Sequence, residues 1–467
     1  MPTCKYERHD YKCEYDGDPT TGDGFCILHS PNPEKDQGPF EQALTAHRKI
    51  RVDSYVGFVF PASHTFLHAE FTGNAKFDDA KFTGKACFQG AKFTGEACFQ
   101  GAKFTGEADF WIAEFGGQAN FEGAEFSGSA GFLRAKFSGD AVFRDAQFSG
   151  GAVFSETKFA RRAVFERAKF SEEALFGRTK FSEEADFRSA MFNESASFWI
   201  AEFSEEALFE GAEFSGSAGF FRAKFSGEAD FRSDTFSGKT EFTKAKFLSR
   251  TLFVSGKEHN KIIQIFSLTK IGAEIDFTDV IIERPEALIF RDADLSKCRF
   301  LSTDLRKAEI TNAKWSEFGG REGVYDEHVL IRNKTDDWAH VESLYRQLKQ
   351  NYEDRKDYER ARDFHYGEKE MRRKNPKTSR GLCFLLTLYW AVSGYGERFL
   401  RPFISLGIVL LISMTCYLSP WFELKLKLDT GTRMLDWTSG WGWLESFHYT
   451  LRTMLLLKPE EVVCSVK

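Results

Sequence analysis

The most regular feature of the chain is the spacing of phenylalanine between Phe66 and Phe253. Successive phenylalanines alternate between gaps of five and six residues, so the period is eleven, and a small residue, usually alanine, lies two positions before each Phe. Neither a helix nor an ordinary strand keeps one face apolar at this spacing. A chain that turns a corner about every five residues does, because each Phe and each Ala then points inward. The pattern predicts a solenoid, whose units bury apolar surface against their neighbours.

A longer internal repeat indicates how many units close one coil. The segment Trp-Ile-Ala-Glu-Phe at residues 111–115 recurs at residues 199–203, an offset of 88 residues or eight elevens. A four-sided coil takes two elevens, or 22 residues, so the offset corresponds to four coils. The extra residue of each long gap falls in a Phe-(Ser/Thr)-Gly-x-Ala stretch, such as residues 126–130. We expect this Gly to adopt positive φ at a widened corner.

A stricter repeat of five residues follows a break in the array at residues 254–272. Within residues 273–316 it includes Ala293-Asp294-Leu295 and Thr303-Asp304-Leu305. These motifs resemble the A(D/N)Lxx pattern of pentapeptide-repeat proteins, and the long array at residues 64–253 resembles a Phe-rich variant of the same family. The resemblance implies a mainly β fold, a right-handed quadrilateral β-helix. It implies no single function, because members of the family serve many roles.

The N-terminal segment, residues 1–35, carries the candidate metal ligands. They have the spacing C-x8-C-x12-C-x2-H and are Cys4, Cys13, Cys26 and His29. Three thiolates and an imidazole suit a closed, tetrahedral, structural Zn²⁺ site, on which a segment with few large apolar residues folds. His9 is an alternative ligand, and incidental cysteines in a flexible leader are the alternative interpretation. Residues 36–63 are expected to form a linker and the lead-in to the array.

Apolar residues recur at helical spacing after the strict repeats. Residues 328–374 are predicted to form an α-hairpin with a charged turn at residues 354–357, and the pair resembles one tetratricopeptide unit. A single such unit does not usually fold alone. We expect the hairpin to cap the open end of the solenoid and to act as an adaptor, with a peptide-binding groove as the alternative.

The C-terminal part predicts attachment to a membrane. Residues 402–422 are apolar and long enough for a transmembrane helix, and residues 383–396 predict an interfacial helix. More Lys and Arg precede this span than follow it. The positive-inside bias therefore places the repeats on the cytoplasmic side of a bacterial inner membrane. The odd number of cysteines, nine, and their scatter argue against a disulfide framework and agree with a reducing compartment.

Residues 437–458 predict a re-entrant or pore-helix-like segment, because three polar residues at helical spacing would be costly in a lipid-facing span: Glu445, His448 and Arg452. The segment resembles the pore helix of two-transmembrane cation channels. The whole arrangement resembles bacterial pentapeptide-repeat membrane proteins with a channel-like tail. No Thr-Val-Gly-Tyr-Gly-like filter follows Met454, so the resemblance does not imply potassium selectivity.

Composition narrows the functional classes. The net charge of −6 over 467 residues is small, and no basic stripe with interleaved aromatic residues points to nucleic acid. No catalytic arrangement emerges, so we expect no enzymatic activity. The leading hypothesis is a non-enzymatic, membrane-tethered scaffold that binds a protein partner, with homo-oligomers forming through the membrane segment. The alternatives are a subunit or regulator of a channel-like assembly, and a DNA mimic that interacts with topoisomerases.

Overall fold

The computed structural model describes the greater part of the chain. The described residues are 3–8, 11–17, 22–32, 35–50, 53–232, 234–254, 274–282, 286, 288–398, 400–418, 422–428, 431–434, 443–444, 447–448, 450–451 and 462–466. They divide into two compact units, Met1–Phe364 and His365–Lys467. The first unit holds the N-terminal segment, the solenoid and most of the predicted cap.

The core of the first unit is a parallel β-solenoid with four sheets, one along each side. Most strands are two residues long and recur every 22 residues, as in the pairing of Ala97 with Ala119. The first sheet contains strands from Ala75–Lys76 to Ala229–Asp230, then Thr251–Val254, Leu288–Arg291 and Glu309–Thr311. The second runs from Val59–Phe60 to Thr235–Phe236. The third runs from His64–Thr65 to Thr240–Glu241, then Ile275–Asp276 and Cys298–Arg299, and the fourth from Glu70–Phe71 to Lys246–Phe247, then Ile281–Ile282.

Stacked phenylalanines fill the interior, as the period predicted. Each Phe of the array is buried, and each lies flat on the Phe one layer away. The centroids of Phe104 and Phe126, for example, are 4.9 Å apart with the rings 1° from parallel. Neighbouring columns meet edge to face, as Phe110 and Phe121 do at 5.5 Å. Offset or edge contacts between aromatic rings add to the free energy gained by removing them from water, so the columns stabilise the tube along its whole length.

The prediction of positive φ at the Gly of each long gap is wrong. Positive φ occurs instead at the short-gap corner, where residues such as Asp79, Arg134 and Ile200 adopt φ of 54°, 57° and 55°. The long-gap glycines are needed for a different reason. A Cβ on Gly128 would lie 2.6 Å from the backbone carbonyl carbon of Gly106 in the preceding layer. These glycines therefore permit the close approach of stacked backbones.

The strict repeats close a coil in fewer residues than the Phe-rich array. Ile289 pairs with Glu309, and Asp294 bridges to Lys314, so each layer there takes 20 residues. This is four units of five, without the two extra corner residues. The rings continue through the change, because Phe277 stacks on Phe300 at 5.2 Å. The predicted break at 254–272 falls almost wholly outside the described residues.

Three helices follow the last coil: α2 (Tyr325–Asn333), α3 (Trp338–Asp354) and α4 (Tyr358–Lys374). The hairpin turn lies where the sequence predicts it, whereas α2 was not predicted. Side chains of α3 bind the end of the solenoid, because Asn351 Nδ2 donates to the carbonyls of Leu305 and Ala308 at 2.7 and 2.8 Å. Trp315 Nε1 donates to Tyr352 Oη at 2.8 Å. These bonds satisfy backbone and indole groups at the final coil.

The second unit contains the end of α4, then α5 (Arg380–Ser393) and α6 (Leu400–Leu418). An antiparallel sheet of three strands follows, which was not predicted: Phe422–Leu428, Gly431–Met434 and Val462–Val466. Among the described residues, none of the helices combines the length and apolar character needed to cross a bilayer. The transmembrane helix predicted at 402–422 is therefore not supported, since α6 ends at Leu418 and Phe422 begins a strand. Most of residues 437–458 lies outside the described part.

Candidate metal centre

Local backbone pairing brings the four predicted ligands together. A short hairpin, Glu7–Arg8 with Tyr11–Lys12, folds the chain between Cys4 and Cys13. The amide of Cys4 donates to Tyr15 O at 2.8 Å, which closes the base of this hairpin. The amide of His29 donates to Cys26 O at 3.0 Å, so a tight turn presents both side chains on one side. All four residues are buried, although they come from segments separated by up to 25 positions.

The distances between the donor atoms suit a tetrahedral metal ion. The four atoms lie within 4.8 Å of one another. Cys13 Sγ is 3.8 Å from Cys26 Sγ, and His29 Nδ1 is 3.8 Å from Cys4 Sγ and 3.1 Å from Cys26 Sγ. Tetrahedral Zn²⁺ with ordinary bond lengths separates two thiolates by about 3.8 Å and a thiolate from an imidazole nitrogen by about 3.6 Å. The group could therefore hold a metal ion with small adjustments.

Hydrogen bonding fixes which nitrogen of His29 faces the thiols. Nε2 lies 2.9 Å from the carbonyl oxygen of Val56. Because a carbonyl only accepts, Nε2 carries the proton and Nδ1 presents its lone pair to the cysteines. A carbonyl that orients a ligating imidazole in this way is the usual outer partner in metal sites. The ring also stacks on Tyr6, with centroids 4.2 Å apart, and meets the edge of Phe58 at 5.1 Å.

The three thiols differ in their readiness to lose a proton. A hydrogen bond from Cys13, followed by the bond with His29, lowers the pKa of Cys26 to about 4. The same shared proton raises the pKa of Cys13, and burial raises the pKa of Cys4. The amide of Cys26 points at Cys4 Sγ, 3.1 Å away. Such N–H groups stabilise thiolates, which are the forms that bind metal.

The candidate centre is joined directly to the first coil of the solenoid. Val59 N donates to Leu28 O at 2.8 Å, next to the ligand His29. The predicted linker is in fact structured, because it contains helix α1 (Gln37–Ile50). Phe40 of this helix packs on Phe60 with centroids 5.6 Å apart. The N-terminal segment and α1 thus cover the first aromatic layer.

Sequence reasoning found the four cysteine and histidine ligands but missed Lys35. This lysine is buried, and its Nζ donates to the carbonyls of Ile27 and Ser30 at 2.7 and 3.0 Å. Burial lowers its pKa to about 8, while the nearby Cys26 opposes that shift. No spacing rule relates Lys35 to the ligands, so only the fold reveals it. The alternative ligand His9 lies outside the described residues.

The fold and the candidate centre together define a class: a four-sided β-solenoid capped at its N-terminus by a Cys₃His cluster. A family model described as pentapeptide repeats (9 copies) matches residues 66–111 and 113–158. The chain is thus similar to this family over the first part of the array. No curated protein and no solved structure gives a significant match.

Proposed function

We propose that the protein is a non-enzymatic scaffold whose solenoid binds protein partners. The observation that supports this proposal is the balance of charge along the rod. Acidic and basic side chains pair between adjacent layers, as in Lys103 with Glu125 at 2.8 Å and Arg134 with Glu156 at 2.7 Å. Exposed pairs of this kind add little stability. They do give a rigid surface of mixed charge, which suits recognition of another protein by complementary charges.

The same pairing makes DNA mimicry the weaker hypothesis. A mimic needs an unbroken acidic face, whereas the acidic residues of the fourth sheet alternate with lysines such as Lys136, which lies 2.7 Å from Glu114. The channel-subunit hypothesis stays a prediction, since most of residues 437–458 lies outside the described part. Neither alternative draws specific support from the described residues.

Site-specific photo-crosslinking in cells tests the scaffold proposal. A photoreactive amino acid is placed at one exposed position on each side of the solenoid: Glu206, Lys169, Ser217 and Lys180. We expect an adduct of one defined mass from one side and its absence from the opposite side. Absence of adducts with other proteins on all four sides would remove the proposal.

We further propose that the second unit attaches the scaffold to the cytoplasmic face of a bacterial inner membrane. Support comes from α5 and α6, whose large apolar side chains are exposed: Phe384 is 68%, Phe403 69% and Ile404 61% accessible. Apolar surface of this extent marks a binding or membrane-contacting region. Basic residues such as Arg398 and Arg401 precede α6 and would meet anionic lipid headgroups.

Vesicle flotation tests this attachment. The purified protein should float with vesicles of phosphatidylethanolamine and phosphatidylglycerol, and a Phe403→Glu, Ile404→Glu double variant should float at least tenfold less. The matched control is Ile50→Glu, which changes an equally exposed apolar residue on α1. Equal flotation of the wild type and the double variant would count against membrane attachment through α6.

We also propose that Cys4, Cys13, Cys26 and His29 hold a structural Zn²⁺. Three thiolates leave the bound site with one net negative charge, which the buried ammonium of Lys35 would offset. The ion would tie the hairpin to the turn at Cys26, and this turn is bonded to the first coil. A stable cap is useful because the open end of a parallel solenoid otherwise presents unpaired strand edges.

Metal analysis of the purified protein tests the zinc proposal. We expect about one zinc per chain in the wild type and in Cys98→Ser, a half-buried cysteine outside the cluster. Cys26→Ser should lose most of the metal. Chelation should also lower the unfolding midpoint of the wild type, since metal binding is coupled to folding. Equal zinc content in both variants would reject the site.

A further inference from the structure

One side of the solenoid differs from the others in the side chains that it presents. The outward positions of the third sheet form two columns, which we name the aromatic face. The first column holds Asp109, Gly131, Val153, Leu175, Ser197 and Gly219, and the second holds Trp111, Leu133, Ser155, Gly177, Trp199 and Phe221. From residue 131 onward neither column carries a charge. Trp111 and Trp199 are 38% and 40% accessible, which is high for tryptophan.

Large and small residues alternate across the aromatic face. In each layer from residue 131 to 221, one column has a large side chain and the other has glycine or serine. The pairs are Gly131 with Leu133, Val153 with Ser155, Leu175 with Gly177, Ser197 with Trp199, and Gly219 with Phe221. The surface therefore consists of projections and recesses at matching heights.

The fold itself does not require the glycines of this face. A Cβ on Gly131, Gly177 or Gly219 would meet no atom closer than 3.8, 3.7 and 4.0 Å, respectively, and none of the three has positive φ. The corner glycines are different, since a Cβ on Gly128 would clash with the preceding layer. Because nothing within this chain demands the small residues here, we look for a surface outside the chain that fits the recesses.

We propose that the aromatic face is a self-association surface, on which a second copy of this chain packs with its solenoid axis parallel to the first. A two-fold axis along the solenoid keeps each layer at its own height and exchanges the two columns. Leu133 of one copy then meets Gly131 of the other, and Leu175 meets Gly177. Such isologous contacts are self-complementary by symmetry, and each projection fills a recess.

The charges beside the aromatic face favour the parallel arrangement. Glu173 lies on one flank, and Arg178 lies on the other flank with its guanidinium 4.8 Å from the ring of Trp199. The parallel two-fold axis brings Glu173 opposite Arg178 of the second copy. An antiparallel arrangement centred on the same layers would instead set Arg134 against Arg178 and Glu156 against its own copy. Opposed like charges select against that arrangement.

The size of the face sets the expected affinity. Six layers at about 4.8 Å make a contact about 29 Å long and only two columns wide. This is less than the roughly 800 Å² per partner of a standard interface. We therefore expect a reversible dimer with a dissociation constant in the micromolar range, formed independently of membrane attachment.

Sedimentation velocity of the full chain in mild detergent, which covers the apolar surface of α5 and α6, tests the proposal. Gly177→Trp should weaken self-association at least tenfold, because it fills a recess that the fold leaves open. Val142→Trp is the control, since it adds similar bulk on the opposite, first sheet. A wild type that stays monomeric to several hundred micromolar, or equal behaviour of the two variants, would overturn the proposal.

Disulfide trapping distinguishes the two orientations. In the parallel dimer, Val153 of one copy faces Ser155 of the other. Oxidising a mixture of Val153→Cys and Ser155→Cys proteins should give a crosslinked dimer above the wild-type background, and neither variant alone should do so. Crosslinking of Val153→Cys with itself would indicate the antiparallel arrangement and overturn the parallel one.

Discussion

Asp234 offers the most direct test of how the tube is filled. It occupies an inward position that is alanine in the seven preceding layers: Ala80, Ala102, Ala124, Ala146, Ala168, Ala190 and Ala212. Its carboxyl group is 1% accessible, and Oδ1 accepts the Ala212 amide at 3.0 Å. Among the described residues nothing pairs with Oδ2. Burial raises the pKa of Asp234 well above its usual value.

Asp234→Ala should therefore stabilise the protein. The variant orphans no donor, because the Ala212 amide also donates to Phe209 O at 2.7 Å. Removing one unsatisfied buried oxygen should raise the free energy of unfolding by about 1–3 kcal/mol near pH 7. A carboxyl whose folded pKa is raised costs stability as the pH rises above its unfolded pKa of about 3.9. The gain should therefore shrink as the pH falls towards 4.

Urea unfolding followed by circular dichroism at pH 8 and pH 4.5 measures this gain. Asp234→Asn is the control, since it keeps a polar group but cannot titrate. It should lose the pH-dependent part of the effect and keep the part due to an unsatisfied polar atom. A lower midpoint for Asp234→Ala at pH 8, or a gain that is the same at both pH values, would refute the reasoning.

Two further substitutions probe the aromatic columns and the corners, both by urea unfolding. Phe154→Ala should cost about 3–5 kcal/mol, because the ring is fully buried between Phe132 and Phe176, with centroids 4.8 and 5.0 Å away; a loss no larger than that of exposed Lys158→Ala would contradict the stacking account. Gly128→Ala should cost about 1–3 kcal/mol from overpacking against the preceding layer. Gly131→Ala, which meets no atom within 3.8 Å, should be nearly neutral, and equal losses at the two glycines would show that close approach is not the reason for Gly128.

The periodic parts of the chain were predictable because their positions are set by neighbours of the same kind. An inward Phe every five or six residues leaves only one way to bury the rings, and the register of Ala97 with Ala119 follows. The role of the long-gap glycines was not predictable in the same way. Composition alone does not distinguish a left-handed conformation from a steric limit set by the next layer, and the coordinates of Gly106 and Gly128 are needed to decide.

The candidate metal centre shows a similar division. Residue types gave the ligands Cys4, Cys13, Cys26 and His29, but not the tautomer of His29, which depends on a carbonyl 27 residues away at Val56. Lys35 was missed for the same reason. In the second unit, apolar composition predicted helices near α5 and α6, whereas the strand at Phe422–Leu428 depends on pairing with Val462–Val466, far along the chain.

By itself, the sequence determined the four-sided coil, its 22-residue layer and the identity of the cysteine and histidine cluster, because each of these follows from local spacing and residue chemistry. Only the tertiary structure decided which glycines are indispensable, which side of the rod is uncharged and recessed, and that Asp234 lies in an apolar interior. Those properties arise between layers that are adjacent in space, where the contact of one coil with the next sets what a side chain can do.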